Sequence, residues 1–291
     1  MKWIEENTKK IRSLVSAGGR ENLTYAALEA RLAIESVCYD RLRIAHDYIS
    51  NDDLKGWQPA RVVQSLIADV DEHITSGYTL SIGKTPTSDK PHDSAEDFED
   101  YEYIPVGVQV GFDAKLLGRL WNALGNFLHV RLPVSKGDSV QQYADEKTII
   151  AKIEEVLSEL DKLATGTMIG SGFGQGTTSF ICECGTTNRR RSASLRAGKK
   201  IGCINANCKE RWIVHVKDDD IWFHRETIRI NCFACGEPHP FAAHELMRME
   251  ADHEWTFNCR KCGELSRVRW RLCYATLPSW QPKSTDAQAT P

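Results

Sequence analysis

The chain has 291 residues, of which 41% are hydrophobic and 26% charged, with a formal net charge of −3. That composition fits an ordinary globular protein of two domains and excludes a collagen-like or low-complexity chain. The charge is uneven: Lys and Arg number 19 against 27 acids over residues 1–165, and 18 against 13 over residues 166–291, a net −8 followed by a net +5.

Met1-Lys-Trp-Ile-Glu-Glu-Asn-Thr-Lys-Lys is charged throughout and no apolar core segment follows it. No export signal or membrane span is read, so a reducing, cytoplasmic setting is expected. Residues 3–17 place Trp3, Ile4, Ile11, Leu14 and Val15 at helical spacing and stop at Gly18-Gly19. A longer helix is expected from Leu23 to about Ile49, with Tyr25, Leu28, Leu32, Val37, Tyr39, Leu42 and Ala45 recurring and Asn22 or Thr24 as its cap. Pro59 suits the first turn of a third helix reaching about Val70.

From Ser76 to Gly111 the helical period disappears, and Asp89 to Glu102 carries seven acids against one Lys. A solvated loop is expected there, flanked by a short strand at Val106 to Val110. Helix returns at Asp113 to His129, and again from about Asp145 to Leu163 with Ile149, Ile153, Val156, Leu160 and Leu163 on one face. Five helices with wide apolar faces predict an up-and-down bundle over 1–165. Five glycines between Thr165 and Ser179 predict a loose linker over 166–179.

Beyond the linker, eight of ten cysteines fall as four pairs: Cys182/Cys184, Cys203/Cys208, Cys232/Cys235 and Cys259/Cys262. Two such pairs offer four thiolates, the closed tetrahedral set that suits a structural Zn²⁺ ion. Sequential closure leaves loops of 18 and 23 residues between the pairs, so two zinc ions and two tandem ribbons are predicted, over 180–217 and 218–275, with a flexible tail at 276–291. In the second ribbon Gly236 and Gly263 directly follow the second ligand of each pair and free the chain for a positive φ. Short strands are expected at Trp212 to Val216, Ile221 to His224, Thr227 to Ile230 and Leu265 to Leu272, around an Asp218-Asp-Asp220 turn. The histidines among the pairs, His215, His224, His239, His244 and His253, are read as surface or packing residues. Cys38 is read as inert packing, and Cys273 has no partner in sequence.

Arg189, Arg190, Arg191, Arg196, Lys199 and Lys200 lie between the ligand pairs of the first ribbon without an intervening acid, and Arg267, Arg269 and Arg271 alternate along the last strand. Both clusters are candidate phosphate contacts, with Trp212, Trp222 or Trp255 available for base stacking. No recognition-helix motif is visible, so RNA or a single strand is favoured over duplex DNA. Glu29, Arg31 and Glu35 on the long helix read as a bundle ion-pair set.

The run from Leu23 to Leu42, with Trp57-Gln-Pro59 and Leu124-Gly-Asn-Phe-Leu-His-Val130, resembles bacterial proteins with an N-terminal helical domain. It is also similar to the HEPN bundles of abortive-infection proteins and toxin ribonucleases. That resemblance implies an Arg followed within a few residues by a His, together assisting attack of a ribose 2′-hydroxyl on its phosphate, across a dimer. Arg41 and His46 have the spacing, and His129 beside Arg131 is a rival. The cysteine-rich half resembles zinc-ribbon proteins, and Cys203-Ile-Asn-Ala-Asn-Cys208 is similar to part of the metal motif in phage late-transcription activators.

The expected architecture is therefore α+β in two domains, an N-terminal α-helical bundle followed by two small β-rich zinc ribbons. The principal functional expectation is nucleic-acid binding through the ribbons, with the helical half a dimerising or effector domain in phage defence. The alternatives are a metal-independent HEPN-type endoribonuclease, and a protein-interaction scaffold whose ribbons are purely structural. No nucleotide-binding loop, Ser or Cys nucleophile motif or open metal site is read, so neither a small-molecule cofactor nor zinc hydrolase chemistry is expected.

Overall fold

Local chemistry sets the helix ends. Helix α1 (Lys2–Ala17) buries Ile4, Thr8 and Ile11 and stops at Gly18 and Gly19, whose φ values of 65° and 76° are left-handed and so break a right-handed helix. The chain turns there and re-enters helix at once as α2 (Gly19–Ala45). Beyond α2 lie two short 3-10 turns, His46–Tyr48 and Asn51–Asp53, the second closed by a capping box between Ser50 and Asp53. Pro59 opens α3 (Pro59–Asp69). Asp113 and Asp145 cap α4 (Ala114–Phe127) and α5 (Glu146–Ala164), their carboxylates accepting first-turn amides.

These elements belong to a computed structural model that describes residues 2–54, 56–84, 102–131, 133–139, 144–170, 176–218, 220–250 and 252–269. Helix α2 is the hub of the bundle. Ala26, Ala27, Ala30 and Ala33 are fully buried, and their small side chains let α1, α4 and α5 come close. Around them pack Ile4 and Ile11, Leu117, Leu120 and Leu124, and Ile149, Ile153, Leu157 and Leu160. The polar set on α2 ties the bundle: Glu29 pairs with Lys10 of α1 at 2.7 Å, and Glu35 accepts from the Trp121 indole at 2.7 Å. Arg31 lies over that same indole, 3.7 Å from its ring centre.

Within the expected loop the structure adds a hairpin, β1 (Tyr78–Gly83) against β2 (Tyr103–Gln109), antiparallel with a register shift between Leu80 and Ser81. Most of the acid-rich stretch lies outside the described residues. Strand β2 also holds the start of the glycine-rich segment: Val108 O accepts from the amide of Thr167 at 2.9 Å, and Gln109 Oε1 from that of Gly170 at 2.9 Å. The expected linker over 166–179 is therefore fixed to β2 at its beginning and is already β-strand from Thr177. Residues 171–175 lie outside the described residues.

The second half is a run of short antiparallel strands: β3 (Thr177–Ile181), β4 (Thr187–Arg191), β5 (Lys200–Gly202), β6 (Arg211–Lys217), β7 (Asp220–Arg225), β8 (Thr227–Asn231), β9 (Pro238–Ala242), β10 (Glu254–Asn258) and β11 (Leu265–Arg269), with one helical turn, α6 (Ala243–Met247), after β9. A 3-10 turn, Ser192–Ser194, follows β4. The strands pair as β3-β4, β5-β6-β7, β8-β9 and β10-β11. The expected break between ribbons at 217/218 moves, because Asp218, with φ 55°, turns the chain into β7 against β6. The chain divides into two compact units at His224/Arg225. The first ribbon thus belongs to the same unit as the helices, and the second ribbon is a unit of its own. No helix among the described residues is long and apolar enough to cross a membrane.

Candidate metal centres and their surroundings

Each ligand pair sits on a tight turn that aims sulfur and backbone amides at one point. Cys182 N–H is bonded to Thr186 O, and Gly185 N–H to Cys182 O. In the second ribbon Gly236 and Gly263 return to Cys232 O and Cys259 O, and both cysteines donate their own amides to Glu237 O and Glu264 O. Gly185, Gly236 and Gly263 have φ of 83°, 72° and 76°, a region where a side chain costs about 1–2 kcal/mol. The Cys203 to Cys208 loop closes differently, on Glu210 O and Asn205 O.

These turns bring the sulfurs together in the sequential order expected. In the first cluster Cys182 and Cys208 lie 3.7 Å apart, as do Cys184 and Cys203. In the second the distances are 3.7 Å between Cys232 and Cys262 and 3.6 Å between Cys235 and Cys259. All four sulfurs of each cluster lie within 4.8 Å of one another. A disulfide needs about 2.05 Å, whereas a tetrahedron with bonds of about 2.3 Å has edges of about 3.8 Å. The spacing fits four thiolates around one ion, and each cluster could hold one.

Electrostatics agrees with that geometry. Four crowded sulfurs cannot all ionise without a cation to balance them, so their protons divide unevenly. Cys184 is lowered to about 6, chiefly through its hydrogen bond with Thr186, and Cys259 to about 5, chiefly through the amide of Cys262. Burial pushes Cys208 up to about 12. A bound dication removes the conflict by favouring the thiolate at every position.

The sulfurs also have neighbours that sequence reading missed. Asn188 is fully buried; its amide lies 3.6 Å from Cys203 Sγ while its carbonyl accepts from Ile204 N–H at 2.9 Å. His239 is buried with Nε2 3.2 Å from Cys259 Sγ, and Ser266 Oγ is 3.9 Å from Cys232 Sγ. Such contacts orient a ligand and moderate its charge. The buried environment of Cys38 raises its thiol to about 12, consistent with inert packing.

The first ribbon is locked to the helices through cations expected to face solvent. Arg190 is 2% exposed. Its guanidinium meets Asp53 at 3.5 Å and Gly202 O at 2.5 Å, and Asp53 also accepts the Gly202 amide at 2.9 Å. A Cβ on Gly202 would come within 2.6 Å of Ser50 Oγ and would displace that hydroxyl from the Asp53 amide it accepts from. Arg191 is buried over the Tyr48 ring, and Lys199 pairs with Asp69 at 2.5 Å. Arg190, Arg191 and Lys199 are therefore docking residues. Arg189, Arg196 and Lys200 remain on the surface.

In the second ribbon Arg267 and Arg269 are exposed and both face Glu254, at 3.7 and 2.7 Å; Arg271 lies outside the described residues. Trp212 is buried against Phe180, and Trp255 packs on Phe241 and Phe257. Trp222 remains 38% exposed. Of the proposed catalytic group, Arg41 is 2% exposed and bonds inward to Gln109 Oε1 at 2.8 Å and Val110 O at 3.3 Å. It ties α2 to the end of β2 and does not reach a surface phosphate. His46 and His129 are exposed beyond the ends of α2 and α4. Compared with family models, curated proteins and solved structures, the chain shows no significant match.

Proposed function

We propose that this chain is a zinc-stabilised nucleic-acid-binding protein, with RNA or single-stranded nucleic acid favoured over duplex DNA. The observation that carries the reading is the pair of four-sulfur clusters with edges of 3.6–3.7 Å. Of the metals that accept four thiolates in a tetrahedron, zinc needs no redox partner and serves as a closed structural ion. Such ions hold ribbons whose small cores would not fold alone and leave their surfaces free for contact. Arg189, Arg196, Lys200 and Arg211 on the first ribbon and Arg229, Arg260, Arg267 and Arg269 on the second are exposed.

The helical half serves as the base on which the first ribbon is held. Its self-association is supported by one line of α2, where the apolar side chains of Tyr25, Leu28 and Leu32 are exposed at helical spacing. The test of the main reading is metal analysis joined to oligonucleotide binding. Two zinc equivalents per chain, with log affinity falling linearly against log salt, are expected. A zinc-loaded protein that retains no oligonucleotide at low salt contradicts the reading.

A further inference from the structure

The β5-β6-β7 sheet of the first ribbon has two unlike faces. Its inner face is apolar: Trp212, Val214, Ile221 and Phe223 alternate inward, and Phe180 packs on both Trp212 and Phe223 at 4.9 and 4.5 Å between ring centres. The residues between them, Arg211, Ile213 and His215 on β6 and Trp222 and His224 on β7, fall on the opposite face. Pairing of Lys200 with Ile213 adds β5 to the same face. There His215 stacks on Trp222 at 5.6 Å with the rings 13° from parallel, and meets His224 edge-on at 4.5 Å.

Three rings in contact therefore line an outward sheet face. Lys217 and Asp220 flank them at one end of the strands, while Lys200 and Arg211, at the other end, line a cavity with Asp52, Asp53 and Asp69. We propose that this face is a stacking platform for the unpaired bases of a single-stranded nucleic acid, with Trp222, His215 and His224 under the bases and Lys217 beside the phosphates. The proposal rests on the nucleic-acid reading above and names its site and substrate class. Duplex bases are already stacked on one another and present no ring face, whereas a single strand offers one per nucleotide. Because the rings already hold one another in place, little side-chain freedom is lost on binding.

The test measures anisotropy of labelled oligo(dT), oligo(U) and a mixed-sequence duplex with the full zinc-loaded chain, its Trp222→Ala and Trp222→Phe variants, and an Arg189→Gln/Arg196→Gln double variant. Zinc content and circular dichroism confirm that each variant is folded. The proposal expects Trp222→Ala to weaken single-strand binding by about 5- to 100-fold, Trp222→Phe to restore most of it, and the salt slope to stay unchanged in both. Single-strand binding that is indifferent to Trp222 but lost in the Arg189/Arg196 variant overturns the platform and leaves the nucleic-acid reading intact. Equal affinity for duplex and single strands also overturns it. Wild-type protein that binds none of the probes removes both.

Discussion

The two ribbons reach the same four-sulfur geometry with different support. The first leans on the helices: Asp53 accepts the Gly202 amide and faces Arg190, and Lys199 meets Asp69. The second has its own compact unit, with an aromatic cluster of His239, Phe241, Trp255 and Phe257 beside the metal turns. A ribbon clasped to a bundle by buried polar contacts has a second source of order, whereas the other has the ion and a few rings. Metal loss should therefore harm the second ribbon more completely than the first.

The largest effect that can break this comparison comes from ligand removal. Binding energy of a structural ion, on the order of 10 kcal/mol or more, is largely folding energy. Cys235→Ser should release one metal equivalent and unfold the second ribbon while the helical circular dichroism persists. Cys203→Ser should release the other equivalent yet leave part of the first ribbon ordered on Asp53, as protected amides in hydrogen exchange would reveal. Equal loss of protection in both ribbons would erase the distinction.

Next in size is the buried clasp. Asp53→Ala leaves Arg190 buried without its carboxylate, and a change of that kind costs about 3–5 kcal/mol. A denaturant melt of the full chain should show the loss, with metal content of the second ribbon unchanged. Adding Arg190→Met to the same chain should return much of it, since an apolar side chain needs no ionic partner. Smaller again are the groups beside the sulfurs. His239→Ala and Asn188→Ala should each weaken metal retention by about 10- to 100-fold in competition with a chromophoric chelator, each at its own cluster. The smallest is Gly263→Ala, about 1–2 kcal/mol from its φ of 76°, read as a lower melting midpoint of the second ribbon.

The helices and the four-cysteine clusters were legible because their signals are local. Asp113, Asp145 and Pro59 mark helix starts within one turn, and the cysteine pairs mark ligand turns by spacing alone. What failed to show were pairings across long sequence distances. Strand β1 finds its partner β2 on the far side of the acid-rich stretch, and Asp53 meets Arg190 across 137 positions. The arginine triplet did hold a warning. In a strand, neighbours point to opposite faces, so Arg190 had to leave the face of Arg189 and Arg191 and is buried; Arg191, at the strand end, is buried separately over the Tyr48 ring. Gly202 looked unremarkable for the same reason, because its close neighbour Ser50 lies in a different region of the chain.

Arg41 teaches the converse lesson. Its spacing to His46 suited a catalytic pair, yet α2 turns it toward Gln109, itself 1% exposed and bonded also to Ser76 O. Helix direction decides what an Arg can touch, and the interval to a later His does not encode it.

Everything assigned to the ribbons depends on sulfur-bound ions, and X-ray absorption at the zinc edge on the purified full chain reads that directly. The account predicts two zinc atoms per chain, each with four sulfur neighbours at about 2.3 Å. A shell dominated by nitrogen or oxygen, or a metal-free protein whose ribbon amides are still protected from exchange, would contradict it.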